Sequence, residues 1–163
     1  MSDTEETAVA EVSPTEATPP APAPDAMKII EKRCKKHGVA IVTIHPFNAR
    51  LFVFRGLDTY RDRFKAIFGV DTQMDCILQD ANVGGFFGME QDMNGCGISV
   101  MAIDGEPEYP EEFIWHEALH ATFIILDLYG VEFVVANHEI YTYTQGYIVS
   151  QIRQALYGRE SFR

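Results

Sequence analysis

Two long helical stretches close this chain, residues 110–129 and 137–157, and they constrain its fold more than anything before them. Pro110 suits a first helical turn, and Glu111 and Glu112 favour the positive end of the helix dipole. Gly130 stands where a helix C-terminus wants a residue free to take positive φ. The connection Val131 to Ala136 is short and apolar, Asn137 is a suitable N-cap, and Gly158 follows the second stretch. Helices this close in sequence fold back on one another and need an apolar layer beneath them.

The residues upstream supply that layer. Val39 to Ile44 and Arg50 to Phe54 are strand-like, and His45-Pro46-Phe47-Asn48-Ala49 between them carries turn residues, so a β-hairpin is expected. Thr59 to Phe68 has apolar residues at helical spacing, with Asp58 as its N-cap and Gly69 as its stop. Residues 82–89 and 97–103 read as a second strand pair, joined through the turn signal Asn94-Gly95. The expected fold class is α+β: a small sheet containing antiparallel pairs, followed by two long packed helices.

Composition narrows the function. The chain has 163 residues and a formal net charge of −11. Residues 1–26 are rich in Ala, Pro, Thr and Glu and hold six acids, Asp3, Glu5, Glu6, Glu11, Glu16 and Asp25, with no Lys or Arg. Such a segment cannot bury enough apolar surface to offset its ordering entropy, so a disordered tail is expected there and one folded domain over 27–163. No basic stripe is present for phosphate contacts, which argues against nucleic acid. The basic cluster from Lys28 to Lys36 reads as a solvated face. Three cysteines without a CxxC pair fit reduced thiols in a cytoplasm, and neither a signal peptide nor a membrane span is evident.

Within the first long helix stands Trp115-His116-Glu117-Ala118-Leu119-His120, an HExxH pattern. Residues i and i+4 share a helix face, so both imidazoles can reach one zinc ion. Glu117, one position on, can touch a water held at zinc without ligating the metal and take its proton. The alternative is a plain amphipathic helix with histidines at an interface. Apolar neighbours on both sides of the motif imply burial, which would make two unpaired imidazoles costly.

A catalytic zinc needs a third protein ligand and an open position. The last helix offers Asn137-His138-Glu139, with Glu139 19 positions beyond His120. Glu139, Tyr143, Gly146 and Ser150 share one face, and the small pair Gly146 and Ser150 would let the two helices approach closely. His138 is chemically a sound ligand too, but adjacent helical positions diverge by about 100°, so one of the two faces the ion.

HExxH followed by a helix-borne Glu resembles the gluzincin branch of zinc metallopeptidases. The combination of His116 to His120 with the segment from Asn137 to Ile148 is also similar to small HExxH proteins encoded by tailed bacteriophages, whose last helix reads roughly Asn-Asp-Glu-x-x-Ala-Tyr-x-x-Gly-Tyr. The likeness covers about residues 111–150, and His138 and Thr142 depart from it. It implies a minimal zincin-like domain with His116, His120 and Glu139 as zinc ligands, Glu117 as the base and Tyr143 polarising a carbonyl oxygen. Packing is the alternative role for the tyrosines of this helix. The implied substrate is a peptide or protein, laid as an added strand on a sheet edge. Residues 97–103 are the first choice for that edge and 84–88 the alternative. A phage origin implies the host cytoplasm or the particle.

Cys96 is a rival ligand. Its Gly-Cys-x-Ser setting resembles the cysteine segment of peptide deformylases, but the gap to His116 is short and that family's Gly-x-Gly loop and Gln are missing, so a small buried apolar role is expected. His37 and His45 lack ligand spacing and read as surface or turn residues. Three functional classes follow: a zinc-dependent amide hydrolase, a binding or assembly protein with a zinc site and no turnover, and a metal-free helical interface.

Overall fold

The computed structural model describes residues 24–79, 84–104 and 110–158. The elements are α1 (Pro24–His37), β1 (Ala40–Ile44), β2 (Ala49–Arg55), α2 (Tyr60–Phe68), α3 (Asp75–Leu78), β3 (Gly85–Gln91), β4 (Gly97–Ile103), α4 (Pro110–Leu128) and α5 (His138–Tyr157). One sheet runs in the order β1-β2-β4-β3. The hairpins β1/β2 and β3/β4 are antiparallel, and β2 and β4 join them in parallel. The expected α+β arrangement, a small sheet followed by two long helices, is what the structure has. Among the described residues, no helix is long and apolar enough to cross a membrane.

Helices cover both faces of the sheet. Phe52, Phe54, Phe86, Val100 and Ala102 pack with Met27 and Ile30 of α1 and Phe64 and Phe68 of α2. The alternate residues Leu51, Val53, Met101 and Ile103 pack with Ile114, Ala118 and Ile125 of α4 and Ile148 and Ile152 of α5. Strands buried on both faces read as continuous apolar runs, which is why β2 and β4 lack the polar alternation of a half-exposed sheet. Each large side chain so buried contributes about 1.5–3 kcal/mol relative to exposure. Below β3, the buried carboxylate of Glu90 accepts from Tyr60 Oη (3.1 Å), the Gln73 N–H (3.0 Å) and the Thr72 hydroxyl, fixing the far end of that strand.

Several expectations change. Of the tail expected over 1–26, residues 24–26 belong to α1, and residues 1–23 lie outside the described residues. That helix buries Met27, Ile30 and Cys34, three positions on one face of an otherwise charged segment. The strand expected from Asn82 begins at Gly85, with 80–83 outside the described residues. Asn137 stands before α5, but its side chain donates to Glu132 O (3.1 Å) instead of capping the helix. Asp58 likewise precedes the N-cap position, held by Thr59, and accepts the Thr59 N–H at 2.8 Å. The strand 97–103 is not an edge: β4 bonds to β2 on one side and β3 on the other. The edges are β1 and β3, and β3 contains residues 85–88 of the alternative segment. Gly146 does not mediate close helix approach, since a Cβ placed there meets nothing within 4 Å. Ile148, Val149 and Ile152, with Tyr141 against Phe123, make that packing instead.

Candidate metal centre

The helix bearing the motif is fixed at both ends. At its start, Arg153 of α5 holds Glu111, Nε to Oε2 2.9 Å. At its end, Gly130 (φ 70°) donates to Asp127 O (2.8 Å) and Val131 to Leu126 O (2.9 Å). These paired reversed bonds satisfy the last carbonyls and turn the chain back towards α5.

His116 and His120 come together on the outer face of α4. Their Nε2 atoms lie 3.0 Å apart and their rings 4.7 Å centre to centre. Two nitrogens on adjacent corners of a tetrahedral zinc are separated by roughly 3.3 Å, from Zn–N bonds of about 2.0–2.1 Å. The same nitrogen of each ring is engaged, and 3.0 Å is the length of an imidazole–imidazole hydrogen bond as well as close to the spacing of two zinc corners. The expected burial of the pair is not found. Both imidazoles are exposed, as are Trp115, Leu119 and Phe123, because the helix turns Ile114, Ala118, Ala121 and Ile125 to the sheet and this stripe away from it. Desolvation therefore does not demand a metal.

Glu117 points between α4 and the sheet edge. It is 6% exposed, and its Oε2 accepts the backbone N–H of Phe87 at 2.6 Å. Burial pushes its carboxyl above the usual range, opposed by the Phe87 N–H and by the two nearby imidazoles. A raised pKa suits a group that must first take a proton and then return it. Close approach of α4 to β3 makes the contact possible. A Cβ on Gly84 would stand 2.2 Å from the Phe113 ring, and one on Gly85 2.8 Å from Ile103. Gly84 thus leaves room for the motif helix, and Gly85 for its neighbour Ile103 on β4. Antiparallel alternation, with Gly84 O accepting from Asp104 N, directs the N–H groups of Gly85, Phe87 and Met89 to the outer edge of β3.

The structure does not bring Glu139 into one cluster with the histidines. Its carboxylate is exposed and lies 3.3 Å from His138 Nε2, while His138 Nδ1 meets Val135 O at 2.6 Å. Among the described residues, no three His, Cys, Asp or Glu side chains converge to hold a metal. Tyr143 is 74% exposed, so packing is not its role; its neighbours do pack, Tyr141 Oη bonding Val131 O (2.7 Å) and Tyr147 Oη bonding Thr43 O (3.1 Å). Cys96 is half-buried in the β3–β4 connection, with its N–H on Asp92 Oδ1 at 2.9 Å. The Phe87 N–H is a site group that residue types could not reveal, because any residue at that position supplies it. No protein-family model, no curated protein and no solved structure matches the chain.

Proposed function

We propose that the protein is a zinc-dependent hydrolase of amide bonds, a small metallopeptidase. The observation that carries this is the convergence of His116 and His120 Nε2 atoms at 3.0 Å beside a buried Glu117 that is tied to a sheet edge. His116 and His120 would hold zinc, with Glu139, turned from His138, as the third ligand on the strength of its place in the resembled pattern. When bound there, zinc supplies Lewis acidity that makes water nucleophilic near neutral pH and offsets charge on the carbonyl oxygen.

The chain's own groups do the rest. Glu117 takes the proton of the attacking water and returns it to the leaving nitrogen. The outer edge of β3, apart from the Phe87 N–H that Glu117 already holds, would align an extended peptide by strand addition. Tyr143, on the same side of α5 as Glu139, can donate its hydroxyl to the carbonyl oxygen. The resemblance to phage HExxH proteins makes the host cytoplasm or a particle the place of action.

A second reading, a zinc-holding binding or assembly protein without turnover, is favoured by the exposure of the histidine pair and by Glu139 resting on His138. Metal analysis of untagged protein and a cleavage assay separate the two. One zinc per chain, with cleavage lost in Glu117→Gln while zinc is retained, supports the hydrolase. Zinc retained with no cleavage by the native chain supports the binding protein, and absence of zinc binding removes both.

A further inference from the structure

The face of α4 that carries the histidine pair also carries large apolar groups and a surplus of acids, the one cation against it among the described residues being Arg153, whose guanidinium lies over the Trp115 ring at 5.9 Å. Trp115, Leu119 and Phe123 stand one turn apart along it, and Phe133, from the α4–α5 connection, meets the Phe123 ring at 5.1 Å while remaining 65% exposed. Large contiguous apolar surface on a folded chain marks a binding site. Around it stand the exposed acids Glu112, Asp127 and Glu132. Glu112 lies one turn before His116, and Asp127 lies two turns beyond His120 on the same outward stripe. Residues 110–158 hold six Asp and Glu against a single Arg, Arg153, and that Arg is held by Glu111. Residues 24–79, which include the helices on the opposite face of the sheet, hold ten Lys and Arg against six Asp and Glu. Charge is thus segregated, and the α4 side is the negative one.

We propose that this face takes polypeptide segments in which bulky apolar side chains are flanked by Lys or Arg, the apolar groups seated on Trp115, Leu119, Phe123 and Phe133 and the cations met by Glu112, Asp127 and Glu132. The inference rests on the hydrolase reading for its consequence, since it names the substrate class of that site, but binding can be measured apart from turnover. Complementary charge raises the encounter rate and rejects acidic segments, and salt screens both effects.

The test uses labelled peptides with a central Phe-Leu flanked by Lys pairs, a counterpart with Glu for Lys, and a third with Ser-Ser for Phe-Leu. Binding is read by fluorescence anisotropy on the full chain with chelator, and again on Glu117→Gln. The expected result is affinity for the Lys peptide at least about tenfold above both others at low salt, with the gap to the Glu peptide shrinking as salt rises. In the triple variant Glu112→Gln, Asp127→Asn, Glu132→Gln, with unchanged circular dichroism, that gap should fall below about twofold. Equal affinity for the Lys and Glu peptides, no binding of either, or an unaltered gap in the triple variant overturns the proposal. So does a dimer of the native chain that Leu119→Lys dissolves, since a second copy then covers the face. Tight binding of the Lys peptide without cleavage by the zinc-loaded native chain sinks the hydrolase reading alone.

Discussion

The Phe87 N–H and the Glu117 carboxylate meet at 2.6 Å, which joins the edge strand of the sheet to the helix that presents the histidine pair. One oxygen of Glu117 is therefore already engaged, and the group is held in place rather than free to swing. Removing the acceptor leaves a part-buried N–H without its protein partner, at a cost of about 1–3 kcal/mol. Glu117→Ala should lose stability by that amount in urea unfolding, and Glu117→Gln, which keeps an acceptor oxygen, by much less. The pH dependence has a definite sign. Burial raises the folded-state pKa of Glu117, so its contribution to stability is fully present below the ordinary carboxylate value and is lost as pH rises through the raised one. In metal-free protein, Glu117→Gln should therefore gain stability relative to the native chain as pH rises from acid to neutral. A difference that stays flat with pH would contradict the burial of the charge.

Gly84 is the residue whose replacement should separate strand from helix. A Cβ there lies 2.2 Å from the Phe113 ring, well inside van der Waals contact, so α4 or the ring must move. Overpacking of this kind costs about 1–3 kcal/mol. Gly84→Ala should lower stability within that range and, by shifting α4, weaken zinc affinity or cleavage along with it. Adding Phe113→Ala should restore part of the function while leaving a cavity penalty. Strict additivity of the two changes would show that the contact is not felt.

Cys34 and Cys76 should respond oppositely to a thiol reagent. Cys34 is 1% exposed and its thiol is pushed up to about 12 by burial, with Glu31 adding to the effect, whereas Cys76 is exposed. Iodoacetamide at pH 8 should modify Cys76 in the native protein and reach Cys34 only on unfolding, as mass spectrometry of the adducts will show. Because the folded pKa stands above the unfolded value of 9.0, this thiol's contribution to stability is intact below pH 9 and declines as pH climbs towards about 12. The decline is at most about 1.4 kcal/mol per pH unit. Cys34→Ala should remove the part of the alkaline loss that begins near pH 9.

The strands, the hairpin turns and the two long helices were legible because apolar periodicity and turn residues are local signals. Helix α1 was not, since Met27, Ile30 and Cys34 are too few apolar positions to stand out among five Lys and Arg. Strand order is also beyond local reading: nothing in Ile98 to Ile103 states that β2 pairs beside it, so the sequence does not distinguish β4 from an edge strand. In the site, the i, i+4 spacing placed His116 and His120 together as helical geometry requires. Their exposure is not visible in the sequence, because Trp115, Leu119 and Phe123 are apolar yet point outward. Glu139 depends on the relation between two helices, which no sequence spacing fixes to within a bond length.

That relation gives the most direct prediction about the metal. His116→Ala and His120→Ala each remove one of two converging nitrogens and should each abolish measurable zinc uptake by the untagged chain. Glu139 now rests on the His138 ring at 3.3 Å, a contact exposed to solvent and worth little. A zinc ion held by the histidine pair offers that carboxylate a stronger partner, since two imidazoles leave two tetrahedral corners to fill. Glu139→Gln should then weaken zinc binding by about 10–100-fold in competition with a chromophoric chelator, with little change in the stability of the metal-free protein. His138→Ala should leave affinity unchanged or slightly raised, because it frees Glu139 from its present contact. If His138→Ala instead costs the larger loss and Glu139→Gln none, the third ligand is His138, and the glutamate serves only to position it.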